Sequence, residues 1–241
     1  MGPGGIASLC GAAFITGFSK SGVPGIGILI PVLAAMAMPA RASTGFILPV
    51  LIEGDCVAVG YWRRRAAWKG LLRVLPWAAL GVVAGYFLMR RISDAIFRPL
   101  LGGMILAIVG LDLLRRAAKA ELMPENRAVA AVIGVLAGIF TMLANAAGPV
   151  MTVYLLSMRQ SKEDFVGTSA WFYFIVNLFK LPFSAALGFV TWSSLGLDLA
   201  LLPLVLIGSV AGVLVMKKLP QRAFNLIAQV LAIAGGIRLF F

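Results

Sequence analysis

Five polar side chains, Ser169, Tyr173, Asn177, Lys180 and Ser184, recur at intervals of four, four, three and four in the apolar stretch 165–190. That spacing stacks them on one helical face. A lysine, an amide, two hydroxyls and a phenol on one face offer donors and a positive charge, a surface suited to an anion. Lys180 lies ten residues before Val190, about 15 Å along a helix and near the middle of a hydrocarbon layer ~30 Å thick. An ionisable group at that depth lines a cavity or meets a partner. Glu53 lies ten residues before Arg63, and a shift of 124 residues superimposes it on Asn177. It is therefore expected at the depth of Lys180 and facing the same axis. The plainer alternative has Lys180 snorkelling to an interface and Glu53 paired with a loop arginine. Asp55 is expected to be shallower, at the interface, and Asp94, Asp112, Asp164 and Asp198 are expected at solvated helix ends.

Two other segments bear on the same chemistry. The apolar stretches 6–39 and 128–158 are each too long for one span of ~20 residues and too short for two spans and a turn. Each has a Gly/Pro-rich middle, Ser21-Gly22-Val23-Pro24-Gly25 in the first and Asn145-Ala146-Ala147-Gly148-Pro149 in the second. Such residues break a helix and free its backbone groups. A broken half-helix aims N–H groups and a partial positive charge into the membrane, a ready anion site. Two breaks at matching places are the sequence pointer to a transporter site, although kinks between packed helices would also use Gly and Pro. The expected anion site thus comprises Lys180, Asn177, Asn145, Gly148, Thr168 and Ser169, with Lys20, Ser21 and Gly25 from the first break. Glu53 is the expected coupling group. An anion arriving at Lys180 would repel its carboxylate and favour proton uptake there, so that anion and proton could move together.

The elements that must hold these residues follow from composition. The chain has 241 residues, 61% of them hydrophobic and 12% charged, with a mean hydropathy of +0.99. Soluble domains are about 45–50% apolar and about 25% charged, and a chain of this size has no interior able to hide the excess. The expectation is a multi-pass protein of the lipid bilayer with room for roughly seven or eight membrane segments. No stretch alternates as barrel strands do, so the segments are helices, which satisfy their own backbone. The formal charge of +12 sits in short clusters such as Arg63-Arg64-Arg65, Arg90-Arg91, Arg115-Arg116 and Lys217-Lys218. These look like juxtamembrane loops rather than a nucleic-acid surface. The absence of histidine excludes HExxH metalloenzymes, His-based triads and His proton relays. Cys10 and Cys56 form no metal-ligand spacing, and no cofactor or metal is expected. The segment from Met1 to Gly11 has no basic region of the secretory kind. A membrane-embedded enzyme would need a polar catalytic cluster at one face, so no enzymatic activity is expected. A passive anion channel is the nearer alternative, and a structural subunit would leave Lys180 and the paired breaks without a purpose.

The chain also repeats. A shift of 127 places Leu75-Pro76 on Leu202-Pro203, Gly81 on Gly208, Val83-Ala84-Gly85 on Val210-Ala211-Gly212, Met89 on Met216 and Arg90-Arg91 on Lys217-Lys218. Two homologous halves are expected, 1–114 and 128–241, joined by a cytoplasmic linker at 115–127. If 128–158 re-enters, the loops of one side carry five, four, two and three cations, while those of the other carry one, three, none and one. If it crosses, the two sides nearly balance. Only re-entry gives the inside bias. It leaves three full spans and one broken hairpin in each half, so the halves are inverted, with both termini outside.

Ala144-Asn145-Ala146-Ala147-Gly148-Pro149-Val150-Met151, Tyr154-Leu155-Leu156, Phe165-Val166-Gly167-Thr168 and Asn177-Leu178-Phe179-Lys180-Leu181-Pro182 closely resemble the second half of TauE/SafE-type sulfite and organosulfonate exporters. In the first half, Gly22 and Gly25 with Pro31 resemble that family's glycine-rich element, with Pro24 and Ile26 in place of two of its glycines. The resemblance implies a bacterial inner-membrane permease for small sulfur-containing or carboxylic anions. Substrate and direction differ among members.

Overall fold

Asn126 accepts a hydrogen bond from the Ala128 N–H and opens one helix, and Ser161 accepts from the Asp164 N–H and opens another, whose first turn carries Glu163 and Asp164. Both are side-chain caps for otherwise orphaned donors, and the two carboxylates complement the helix dipole. In the computed structural model, which describes residues 2–38, 40–92 and 126–240, the order is α1 (Pro3–Ser21), a 3-10 turn (Ile26–Ile28), α2 (Leu29–Ala37), α3 (Ala40–Trp62) and α4 (Trp68–Arg91), then α5 (Arg127–Ala144), α6 (Gly148–Ser157), α7 (Lys162–Ala186), α8 (Trp192–Lys218) and α9 (Gln221–Phe240). No strand occurs among the described residues. Four segments are long and apolar enough to cross a membrane: Ala42–Trp62, Trp68–Arg91, Arg127–Ala144 and Leu195–Lys218. The span expected at 95–114, with Asp94, Asp112 and nearly all of the linker 115–127, lies outside the described residues.

The two long apolar stretches do break where Gly and Pro interrupt them. α5 ends when Asn145 takes a left-handed backbone (φ 54°), with its N–H on the Thr141 carbonyl at 3.0 Å and the Ala146 N–H on the Phe140 carbonyl at 3.3 Å. Asn adopts that conformation more readily than most residues. Gly148 and Pro149 then start α6, proline being tolerated where no intrahelical N–H is needed. In the first stretch α1 ends at Gly22, and Gly25 holds φ 93° ahead of the 3-10 turn. The arms are unequal, 19 residues against 9 and 18 against 10. Each first arm is about 27–29 Å long, nearly a full span rather than half of one.

Helix directions follow from residue pairs. Gly54 of α3 lies against Thr16 and Lys20 of α1, and Trp62 Nε1 donates to the Ser21 carbonyl at 2.9 Å, so α1 and α3 run parallel. The α1–α2 unit therefore leaves and regains the same end of α3. α3 and α7 cross antiparallel: Gly45 meets Phe189, Asp55 meets Asn177, and Gly167 meets Arg65. These two helices hold equivalent places in the element order.

Small residues set the closest approaches. Gly134 and Gly138 of α5 sit on the Val74–Val82 backbone of α4, and Gly81 sits on Val135 and Gly138. A Cβ on Gly138 would collide with the Ala78 carbonyl and the Val82 nitrogen. Gly208 and Gly212 of α8 lie on α1 at Phe14 and Phe18 in the same manner. The shift of 127 superimposes Gly81 and Gly85 on Gly208 and Gly212, so glycines at equivalent positions of α4 and α8 admit α5 and α1 respectively. Both pairs run parallel, and the dense packing substitutes for a hydrophobic drive that lipid does not supply.

The loops after α3, before α7 and after α8 gather at one end. There Lys162 Nζ donates to the Met216 and Leu219 carbonyls (3.0 and 2.6 Å), ending α8, and the Lys162 N–H meets Gln221 Oε1 at 2.8 Å. Arg65 faces Asp164 at 3.9 Å.

Candidate functional site

The polar stripe of α7 meets one face of α3. On α3 the positions 44, 48, 51, 55, 58 and 62 recur at helical spacing and all are buried. Asp55 stands in the middle of that face and is completely buried. Its contact with Asn177 lies ten residues from Gly45 and ten from Arg65, whose own contacts mark the two ends of the crossing. At 1.5 Å per residue the contact is about 15 Å from either end, the middle of a bilayer core.

Asp55 is held on both oxygens. Lys20 Nζ lies 2.8 Å from Oδ1, and Asn177 Nδ2 donates to Oδ2 at 2.6 Å. The Lys20 ammonium also sits 4.1 Å above the Tyr173 ring, an additional attraction for a desolvated cation. Three helices, α1, α3 and α7, thus meet in one buried polar knot. This corrects the expectation for Asp55, which sits at the centre of the site and not at an interface.

Beside the knot is a cavity of about 80 Å³, space for several water molecules or a small hydrated anion. Both breaks line it, through Pro24, Gly25 and Gly27 on one side and Asn145, Ala146, Gly148 and Pro149 on the other. Lys20, Thr141, Ser169, Tyr173 and Asn177 contribute polar groups. α6 starts at this cavity, lined by Gly148 and Pro149 and with no side-chain cap at Ala147, so the positive end of its dipole lies beside the space.

Six of the nine expected binding residues line the cavity: Asn177, Asn145, Gly148, Ser169, Lys20 and Gly25. Lys180 stands behind the wall. It is 1% exposed and donates to the Thr141 carbonyl at 3.0 Å, to Thr141 Oγ1 at 3.3 Å and to Asn145 Oδ1. Three neutral acceptors match the three donors of an ammonium. Lys180 accordingly braces the second break through Asn145, whose Nδ2 donates to the Thr44 carbonyl at 2.8 Å. Thr168 serves elsewhere, accepting from the Ala67 N–H at 2.9 Å and donating to the Asp164 carbonyl at 2.6 Å, a joint at the start of α4. Ser21 offers its carbonyl to Trp62 and does not line the cavity.

Glu53 and Lys180 do not meet. Two residues along α3 from Asp55, Glu53 is turned by about 200°. It is half-buried, with Oε2 lacking a hydrogen-bond partner, and its acidic neighbour is Asp198 of α8. Asp198 is itself 1% exposed with both oxygens unpartnered, against the expectation of a solvated helix end. Asp164 is at a helix start and partly exposed, as expected. Among the described residues no group of three or more acidic or Cys side chains could hold a metal ion.

An apolar helical bundle with broken helices around an internal cavity that polar side chains reach is the architecture of a polytopic membrane protein. A family model for the sulfite exporter TauE/SafE matches residues 9–239. The chain belongs to that family. No curated protein and no solved structure matches it.

Proposed function

We propose that the protein moves small anions, sulfite, organosulfonates or related sulfur-containing and carboxylic anions, across the bacterial inner membrane by alternating access, with export as the proposed direction. The observation that carries the reading is the mid-membrane cavity, where two helix breaks, the uncapped start of α6 and the Lys20 ammonium converge. The anion would lie against Gly148, with Asn145, Asn177 and Ser169 as donors and Lys180 as a charge behind the wall. Two inverted halves, 1–114 and 128–241, would supply the motion. The antiparallel crossing of α3 and α7 and the reciprocal packing of α1 on α8 and α5 on α4 support that relation. The basic end, with Arg63–Arg65, Lys162 and Lys217–Lys218, is the cytoplasmic one under the positive-inside rule.

A thermal-shift screen of the purified protein tests the reading. Sulfite, sulfonates or small carboxylates should raise the melting temperature saturably, while cations of similar size should not. A protein that no anion stabilises, or that cations stabilise equally, would contradict it.

A further inference from the structure

The knot beside the cavity contains a carboxylate that already occupies the position a substrate needs. Asp55 takes from Lys20 an ammonium and from Asn177 an amide N–H, the donors an oxyanion would seek, and both partners line the cavity. An anion that takes over these two donors displaces Asp55. The displaced carboxylate would be stranded, being fully buried with Lys20 as its cation at ion-pair distance among the described residues. A buried charge without a partner is not tolerated and neutralises instead.

Resting on the anion-transport reading above, we infer that Asp55 is an internal counter-ion, which the substrate displaces from Lys20 and which takes up a proton as the anion binds. The step breaks the Lys20–Asp55 ion pair and forms one O–H bond on Asp55. The proton comes from the solution that the cavity faces, and Lys20 remains an ammonium throughout. Release of the anion reverses it, because the freed ammonium again favours the carboxylate. Anion and proton thus occupy the site together, and one cannot leave without the other.

Among the described residues, Asp55 is the carboxylate at ion-pair distance from Lys20. α1 presents Lys20, while α7 presents Tyr173, Asn177 and Lys180. On α3 itself, Glu53 and Cys56 are near in sequence. α8 presents Asp198 to Glu53, α5 contributes the neutral Thr141 and Asn145, and α2 carries no titratable side chain. Lys180 acts on Asp55 only at longer range, its own donors being spent on Thr141 and Asn145.

The test uses the full chain in detergent or nanodiscs with methanesulfonate, whose charge stays constant through neutral pH. In a weakly buffered solution, binding should remove about one proton per anion, and affinity should rise roughly tenfold per unit fall in pH over the range where free Asp55 is ionised. Asp55→Asn should still bind methanesulfonate, with affinity independent of pH and no proton uptake. Wild-type binding with no proton uptake and a flat pH profile would overturn the inference while leaving the transport reading intact. So would uptake that persists in Asp55→Asn. If that variant does not fold, the wild-type proton count decides alone. Failure of the wild type to bind any anion at any pH would overturn both readings.

Discussion

Removing the charge at Lys180 tests whether a cation that touches no substrate still governs its binding. Lys180 Nζ lies one hydrogen bond behind Asn145, and Asn145 lines the cavity. Asn145 accepts from Lys180 and donates one amide hydrogen to Thr44, leaving a second for an anion. Two hydrogen bonds in series put the ammonium about 6 Å from a bound anion. With an effective dielectric of about 20, a unit charge at that distance contributes about 2.8 kcal/mol, or about a hundredfold in affinity. Lys180→Met should therefore weaken binding by roughly two orders of magnitude. Lys180→Arg should retain a weakened site, since a planar guanidinium cannot repeat the three-acceptor geometry of an ammonium. Calorimetric titration of both variants with methanesulfonate reads the effect, and their thermal melts report whether the second break survives without its brace. Affinity in folded Lys180→Met within twofold of wild type would refute the electrostatic argument.

Other expectations follow from the packing. Gly138→Leu places a branched side chain against the backbone of α4, where no flexible group can yield, and should lower stability by about 1–3 kcal/mol or more, read from the melting temperature. Glu53→Gln should leave both the affinity for methanesulfonate and its pH dependence unchanged, because Glu53 faces Asp198 and not the cavity; loss of the pH dependence in that variant would return the coupling role to Glu53. Single cysteines at positions 64 and 218, in a protein whose Cys10 and Cys56 are replaced by alanine, should both react with a membrane-impermeant thiol reagent from the cytoplasmic side. Labelling of position 218 from outside would contradict the inverted arrangement.

Much of this arrangement is legible in the sequence, and the reasons are physical. Composition gives the bilayer, helix-breaking residues give the two breaks, and the interval of three and four gives the α7 face, because each depends on local properties alone. The glycines matched by the shift of 127 become intelligible once α5 is seen on α4 and α1 on α8. The distinction between Glu53 and Asp55 was harder. Depth separates them by only about 3 Å, whereas helical face separates them by more than half a turn. The buried series through Leu48, Leu51, Ala58 and Trp62 marks the face to which Asp55 belongs. The repeat alignment also misdirects, since it pairs Glu53 with Asn177 while the antiparallel crossing brings Asp55 to it. Alignment relates equivalent positions, and contact depends on how the helices dock. Asp198 was hidden for a similar reason, its burial arising from neighbours distant in the chain.

The central claim is that the cavity between the two breaks binds an anion and carries it across the membrane. Counterflow in proteoliposomes tests this most directly. Vesicles loaded with unlabelled sulfite are diluted into a trace of labelled sulfite, and uptake of label is followed over time. A carrier with one alternating site should accumulate label transiently above its outside concentration, with a rate that saturates and that falls sharply for Lys180→Met. Label that merely equilibrates would indicate a pore, and label that never enters would contradict transport of this anion altogether.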